Sequence, residues 1–181
     1  MIQSNLIDSN MDIKNTSNLL INFIIKRLAE IFGTIISICG ILLFASLLTY
    51  SPEDPNFIFP DNTEINNILG FHGSFISDLF FQSLGFVSFL FSLTLIFTGF
   101  NILKTKEFFL IIENIFFSII YLILGTLFLA HFYTDAFNLY INGNGGFVGF
   151  YLNQTFLNSI ISINKSISYF ILIILIIILF L

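Results

Sequence analysis

The sequence predicts an all-α integral membrane protein: a bundle of four transmembrane helices, with an additional amphipathic helix at the outer interface before the last span. Three observations support this fold class. Of the 181 residues, 56% are hydrophobic and only 9% are charged, too few charged side chains to cover a water-facing surface. Four separate runs are apolar and close to the length that a bilayer requires. The basic residues lie almost entirely on one side of those runs.

The first element is a polar N-terminal segment, residues 1–28, which is expected to precede a membrane domain at residues 29–181. In that domain the run at 31–50 supplies about 20 apolar residues, the length that a helix needs to cross about 30 Å of hydrocarbon. A long Asn- and Ser-rich leader precedes this run, and no small-x-small cleavage site follows it. The run is therefore expected to be a retained signal anchor rather than a cleaved signal peptide.

Three further spans are predicted at 75–101, 108–132 and 166–181. Lys104 and Lys106 mark the short turn between the second and third spans, and a polar, glycine-rich stretch ends the third. The fourth run consists almost purely of Ile, Leu and Phe, but the sequence stops before a full span is complete.

The orientation follows from the positions of the lysines and arginines, which are enriched in cytoplasmic loops. The connections at 51–72 and 133–149 contain none. Of the six basic residues, only Lys165 falls on the same side as those connections. The other five are Lys14, Lys26, Arg27, Lys104 and Lys106. The N-terminus and the Lys104–Glu107 turn are therefore predicted to be cytoplasmic.

Small residues mark the predicted helix contacts, because helices in lipid associate where their backbones can approach closely. By contrast, Val87, which lies about 160° around the second helix from the small residue Gly85, is expected to face lipid. The alternative is that compositional bias scattered these small residues without a packing role. The candidate packing residues are Gly33, Ser37 and Gly40 on the first span, Asp78, Gly85, Ser92 and Gly99 on the second, and Ser118 and Gly125 on the third.

The segment 148–165 is predicted to be one amphipathic helix lying in the outer interface or half inserted. Its apolar face would carry Val148, Leu152, Phe156, Ile160 and Ile163. The alternative is an ordinary polar extension of the fourth span.

Nothing in the sequence forms a recognisable active site. The glycine-rich tract 142–149 lacks the Gly-Lys-Ser/Thr of a phosphate-binding loop and is expected to be a flexible turn with a helix-starting glycine. Cys39 is a lone cysteine. Asp78 and Glu113 are expected near opposite membrane faces, where a charge costs least. His72 and His131 are expected to be interfacial without a ligand role, so no catalytic, cofactor or metal site is predicted.

Two sequence blocks carry a resemblance to a known family, the FtsK/SpoIIIE DNA translocases. Residues 48–57, LTYSPEDPNF, resemble the end of the first span in that family, where Ser-Tyr-x-Pro-x-Asp-Pro commonly follows a leucine-rich helix. Residues 67–85, NILGFHGSFISDLFFQSLG, are similar to the beginning of its second span, although His72 replaces a usually apolar or small residue. Residues 145–149, GGFVG, are similar to a stretch before its fourth span. The residues that match the motif loop are Tyr50, Ser51, Pro52, Asp54 and Pro55.

The resemblance implies a membrane anchor in the bacterial inner membrane, belonging to a DNA translocase that acts in chromosome segregation and cell division. Family members continue into a cytoplasmic ATP-driven motor, but this sequence contains no Walker motif. The sequence is therefore expected to represent a fragment, a truncated product or a chain whose motor is encoded separately.

The expected partners are membrane lipid, further copies of the chain in a homo-oligomer, and other division proteins. No nucleic acid or nucleotide is expected, because the formal net charge is −5 and the sequence has no basic cluster. The alternative function is a small transporter or channel subunit, which would require inverted repeats, broken helices or charged mid-span residues. A membrane enzyme is a third class, but it lacks a convincing nucleophile, base or metal cluster.

Overall fold

The computed structural model describes residues 2–55, 64–134 and 142–181, and side chains from residue 17 onward. Every regular element in those ranges is helical, which confirms the predicted all-α fold class. Three stretches are long and apolar enough to cross a membrane, or four if a bent helix pair forms one span. The helices are α1 (Ile2–Leu48), α2 (Gly70–Leu84), α3 (Ser88–Thr105), α4 (Phe109–Phe132), α5 (Gly146–Asn153), α6 (Phe156–Ile163) and α7 (Lys165–Phe180), with a 3₁₀ turn at Gly85–Val87.

Helix α1 includes the segment that was predicted only as a polar leader before the first span. Its 47 residues correspond to about 70 Å of helix. No glycine or proline precedes Gly33, so no residue type that commonly breaks helices interrupts its first half. The apolar part that qualifies as a span is Ser17–Leu48. The helix ends before Pro52, where the chain turns.

The second span, predicted as continuous at 75–101, corresponds in the structure to two α-helices joined by a 3₁₀ turn. The apolar stretch Gly70–Thr105 contains 36 residues, about 54 Å if it were straight. It is divided at Gly85, which has φ +62° and cannot continue a right-handed helix. The 3-residue turn and the 18-residue α3 together reach about 31 Å, the thickness of a bilayer core.

Helix α2 packs against the end of α1. Gly73, Asp78 and Phe81, which cover more than two turns of α2, all contact the last turns of α1 or Tyr50, two residues after it. Because Gly85 interrupts the helix, Asp78 and Gly85 do not lie on one helix face with Ser92 and Gly99.

The third and fourth predicted spans agree closely with α4 and α7. Lys106 ends α3 in a left-handed conformation (φ +64°), which allows the tight turn into α4. Helix α4 follows the predicted run at 108–132 with one residue of difference. Helix α7 has 16 residues and begins one residue before the predicted span.

The single amphipathic helix predicted at 148–165 is instead two short helices, α5 and α6. Thr155 separates them in an extended conformation (φ −90°, ψ 179°), and its side chain caps α6 by accepting from the Leu157 N–H at 3.3 Å. The continuous apolar face proposed for 148–165 therefore does not exist. A bend of 111° separates α6 from α7.

The spanning helices pack in chain order, α1 on α3, α3 on α4 and α4 on α7, and the α1–α3 interface is the most extensive. One apolar cluster contains Leu43, Leu47 and Phe81. A second contains Leu127, Phe128, Ile161 and Leu172. We call the end of the bundle with the connections 49–69 and 133–145 the loop end. The opposite end, with the short connection between α3 and α4, is the turn end.

The glycine-rich tract is placed in the break between α2 and α3. The Phe86 N–H donates to the Asn144 carbonyl oxygen at 3.0 Å. The Asn142 amide donates to the Gln82 carbonyl oxygen at 3.2 Å, and the Asn144 amide donates to the carbonyl oxygen of Tyr133. Gly146 begins α5, as predicted, but residues 142–146 form a packed junction rather than only a flexible turn.

The Val87 side chain is not directed at lipid, as the sequence analysis expected. It is only 3% exposed, and a Cβ atom added at Gly125 would lie 3.1 Å from its two methyl carbons. Val87 thus fills the space that Gly125 leaves on α4. The expectation failed because it assumed an uninterrupted helix through Gly85.

Substitution of Gly85 by alanine should destabilise the protein more than the same substitution at Gly70. Both glycines have a positive φ (+62° and +64°), so alanine incurs a backbone cost at both positions. Gly85 also has ψ −145°, a conformation that is almost restricted to glycine. Only at Gly85 would the new Cβ meet a neighbour, 1.9 Å from the Asn144 carbonyl oxygen, whereas Gly70 has open space. We expect Gly85→Ala to lose about 1–3 kcal/mol more than Gly70→Ala, the usual range for overpacking.

The free energy of unfolding of both variants can be compared in mixed micelles as the fraction of denaturing detergent is raised. Equal losses for Gly85→Ala and Gly70→Ala would contradict the packed junction.

Candidate functional site at the loop end

The carboxylate of Asp54 lies at the centre of a polar network at the loop end, although its side chain is only 1% exposed. One oxygen accepts hydrogen bonds from the backbone N–H and side-chain amide of Asn66, at 2.8 and 3.0 Å. The other accepts from the backbone N–H of Asn67 at 2.8 Å. Hydrogen bonds to a charged acceptor are stronger than neutral ones. Asp54 therefore holds the two ends of the connection between α1 and α2 together.

Local sequence explains why Asp54 is directed inward. Its N–H donates to the Ser51 carbonyl oxygen at 3.2 Å, which closes a turn with Pro52 at the second position, where its fixed φ is favoured. Pro52 itself is exposed and Pro55 is buried. The Pro55 carbonyl oxygen accepts from the Ser74 hydroxyl at 2.8 Å, so this turn is attached to α2.

Asn67 joins the same connection to α1. Its side-chain amide donates to the Ser46 carbonyl oxygen at 2.9 Å, a group in the last turn of α1 that has no partner within the helix. Its side-chain oxygen accepts from the Leu69 N–H at 3.1 Å. A Cβ atom at Gly73 would lie 2.1 Å from that oxygen, so a larger residue there would displace Asn67.

The Ser46 hydroxyl completes the contact between α1 and α2 by donating to the Gly73 carbonyl oxygen at 2.6 Å. We define the loop-end network as Ser46, Asp54, Asn66, Asn67, Gly73 and Ser74. These residues come from the end of α1, both ends of its connection to α2, and the first turn of α2. The network therefore attaches the start of α2 to the end of α1.

A second carboxylate, Asp78, lies beside this network. It accepts from the Tyr50 hydroxyl at 2.9 Å and from the Gln82 amide at 2.8 Å, and it is 6% exposed. The rings of Tyr50 and Phe81 are 4.9 Å apart. Asp78 thus acts as a hydrogen-bond acceptor between α2 and Tyr50, two residues after α1, at the loop end.

The predicted small-residue positions on the first and second spans meet along the α1–α3 interface. A Cβ atom at Gly33 would lie 2.9 Å from the Gly99 carbonyl oxygen, and one at Gly99 would lie 2.1 Å from the Ser37 hydroxyl oxygen. Gly40 similarly approaches the backbone of Ile96. Ser92 and Ser118 are buried, and each donates to a carbonyl oxygen of its own helix, Phe89 or Ile115, at 2.8 Å.

The turn end carries a separate charged contact that the sequence analysis did not identify. Lys106 in the α3–α4 turn forms an ion pair with Glu30 of α1, and Arg27 pairs with the same carboxylate at 2.6 Å. Glu30 thus links α1 to the end of α3. Partners separated by 76 residues leave no local signal in the sequence.

The described residues offer little for catalysis or metal binding. Among them, no group of three or more His, Cys, Asp or Glu side chains is placed to hold a metal ion. His72 is exposed, and His131 lies with its Nδ1 3.3 Å from the Asn153 side-chain oxygen. Glu113 lines a cavity of about 430 Å³ between α3, α4 and the end of α7. Other polar groups beside that cavity pair with each other: Thr94 with Tyr121 at 2.6 Å, and Asn114 with Thr98 at 2.8 Å.

Comparison with known proteins gives one family match. Residues 25–181 match the family described as the 4TM region of DNA translocase FtsK/SpoIIIE. Similar curated proteins include three named DNA translocase FtsK, from Azospirillum brasilense (29% identical over 87 residues), Rhizobium meliloti strain 1021 (28% over 78 residues) and Rickettsia bellii strain RML369-C (30% over 78 residues).

These alignments cover 47%, 43% and 43% of this chain, but only 14%, 9% and 10% of the respective relatives. The match therefore concerns a small part of each relative. No solved structure matches the chain.

Replacement of Asp54 by asparagine should destabilise the loop end. The amide would keep one acceptor oxygen but place an NH₂ group against a backbone N–H that now donates to the carboxylate. A buried donor left without an acceptor costs about 1–3 kcal/mol. We expect Asp54→Asn to lower the free energy of unfolding by this amount in mixed micelles.

Glu64→Gln is the matched control, because Glu64 is an exposed carboxylate in the same connection. It should stay within about 0.5 kcal/mol of the parent chain. An Asp54→Asn variant as stable as Glu64→Gln would show that the network contributes nothing to stability.

Proposed function

We propose that this chain, which belongs to the family of the 4TM region of DNA translocase FtsK/SpoIIIE, serves as the membrane anchor of an FtsK-like DNA translocase. The match over residues 25–181 is the observation that carries this proposal. The chain is the membrane region of an FtsK-like protein. Its anchoring role, in chromosome segregation and cell division, is our inference.

The packing of the chain supports an anchor rather than a catalyst. Close contacts between glycine and serine along α1 and α3 suit helices that hold a fixed arrangement in lipid. The buried carboxylates Asp54 and Asp78 accept hydrogen bonds that connect chain segments. We propose that the chain has no enzymatic activity of its own and binds neither nucleotide nor DNA.

The proposed orientation places the turn end in the cytoplasm of a bacterium and the loop end outside the inner membrane. Lys26, Arg27, Lys104 and Lys106 lie near the turn end, and basic residues favour the cytoplasmic side. Helix α7 runs from the loop end, where Tyr169 contacts Tyr133, towards Phe97 and Tyr121. In an FtsK-like protein, a segment joined to the end of α7 would continue towards the cytoplasmic side in this orientation.

The proposed partners are membrane lipid, further copies of the chain and other division proteins. The exposed apolar side chains of α1, α4 and α7 suit contact with lipid or with neighbouring spans. A transporter or channel subunit remains the alternative function. The helix breaks at Gly85 and Asn164 are of the kind that transporters use. Gly85, however, packs against Asn144 and Gly146, and the Asn164 side chain caps α7 by accepting from the Ile167 N–H. Glu113 lies in the half of α4 away from the loop end.

The proposal is tested by a chimera in which residues 1–181 replace the membrane region of Azospirillum brasilense DNA translocase FtsK, with a fluorescent protein at the C-terminus. The chimera is expressed in cells of that bacterium depleted of their own FtsK. We expect fluorescence at the division site and continued cell separation.

The control carries the same motor on an unrelated four-helix membrane protein and should label the envelope evenly. If the chimera also labels the envelope evenly while remaining intact in the membrane fraction, the anchoring and localisation role is wrong.

A further inference from the structure

The surface of helix α6 consists of three sectors: one buried, one polar and one apolar and exposed. Successive residues on a helix are about 100° apart. Ile161 is 6% exposed, and with Leu157 it packs against the cluster of Leu127, Phe128 and Leu172. The polar residues Asn158, Ser159 and Ser162 occupy a second sector.

The third sector of α6 is apolar and largely exposed. Phe156, Ile160 and Ile163 fall within about 60° of each other around the helix, and they are 72%, 54% and 84% exposed. A surface helix of a soluble protein would place polar residues here. These side chains therefore need an apolar environment outside the chain.

The bend between α6 and α7 places this sector at a particular depth. The angle of 111° differs from a right angle by about 20°. Spanning helices are commonly tilted from the bilayer normal by about the same amount. Helix α7 runs along α4, from Tyr133 at the loop end towards Tyr121, and α4 is long and apolar enough to cross a membrane. Helix α6 therefore lies close to the membrane plane at the loop end. The apolar surface continues past the bend, because Ile167, Phe170 and Ile171 on α7 are also exposed.

We propose that α6 is an interfacial anchor that binds the lipid leaflet at the loop end. Phe156, Ile160 and Ile163 contact the upper part of the acyl chains, while Asn158, Ser159 and Ser162 face the headgroups and water. A helix lying in this plane with one apolar and one polar face has the arrangement of interfacial membrane-binding helices. This contact is separate from the anchoring of a motor, since it concerns only how the α6–α7 bend is held at the surface.

The lipid leaflet fits this sector better than a second copy of the chain. The sector is continuous with the lipid-exposed surface of α7, so a bilayer that surrounds α7 also reaches α6. Its residues lie on a helix of only eight residues, which offers a small area for a stable protein interface.

Single tryptophan reporters test this proposal without background, because the chain contains no tryptophan. The variants are Phe156→Trp and Ile163→Trp in the exposed apolar sector, and Ser159→Trp in the polar sector. All three replace exposed side chains, so each should retain the fold. The full chain is reconstituted in phosphatidylcholine vesicles with bromine atoms at a shallow acyl-chain position or, separately, near the bilayer centre.

We expect shallow bromine to quench Phe156→Trp and Ile163→Trp about threefold more than Ser159→Trp, as for an interfacial helix at about 5–10 Å depth. Aqueous iodide should give the reverse order. Stronger quenching by central than by shallow bromine would show that α6 is inserted deeply, and the proposal would be wrong.

Two further results would overturn the proposal. Equal quenching of all three reporters by iodide would place α6 in water. Protection of the apolar-sector reporters from both lipid and iodide, relieved when the protein is diluted with excess lipid, would identify a second copy as the occupant.

Discussion

The arrangement of the loop end depends on the buried carboxylate of Asp54, which accepts hydrogen bonds from N–H groups at the other end of the α1–α2 connection. Asp54 is buried and accepts three hydrogen bonds from Asn66 and Asn67. A buried charge is tolerated only when its hydrogen-bonding capacity is met. The connection must therefore return to α1, and Asn67 then reaches the orphan carbonyl oxygen of Ser46 while Gly73 lets α2 approach. The position of α2 follows from these contacts.

Bilayer thickness supplies the second constraint. An apolar stretch of 36 residues is too long for one crossing, and a strong tilt would separate α3 from α1. The chain instead breaks at Gly85, and the peptide groups freed at the break find partners in residues 142–146. The glycine-rich tract therefore has a structural role that its composition alone did not reveal. It connects the α2–α3 break to the end of α4.

The sequence predicted the parts of the fold that local composition determines. The run at 108–132 is uniformly apolar, with charged residues just before its start, and it matches α4 almost residue for residue. The break at Gly85 was missed because hydropathy does not distinguish a positive-φ glycine from a helical one. Thr155 was missed as a helix start because the apolar spacing continues across it. Motif resemblance pointed to Tyr50, Asp54 and Pro55 in one block and to Asp78, Asn67 and Ser74 in the other. It did not show that these residues pair across 28, 13 and 19 residues. Orientation in the membrane stays a prediction from basic-residue placement.

Hydrogen–deuterium exchange at the backbone amides of Asn66 and Asn67 tests the role of Asp54 most directly. Amides in a connecting segment usually exchange quickly because they are bonded to water. If Asp54 holds this connection, these two amides should exchange as slowly as amides inside α4 in the parent chain in lipid nanodiscs. In Asp54→Asn they should exchange rapidly while α4 stays protected. Rapid exchange of both amides in the parent chain would contradict the account.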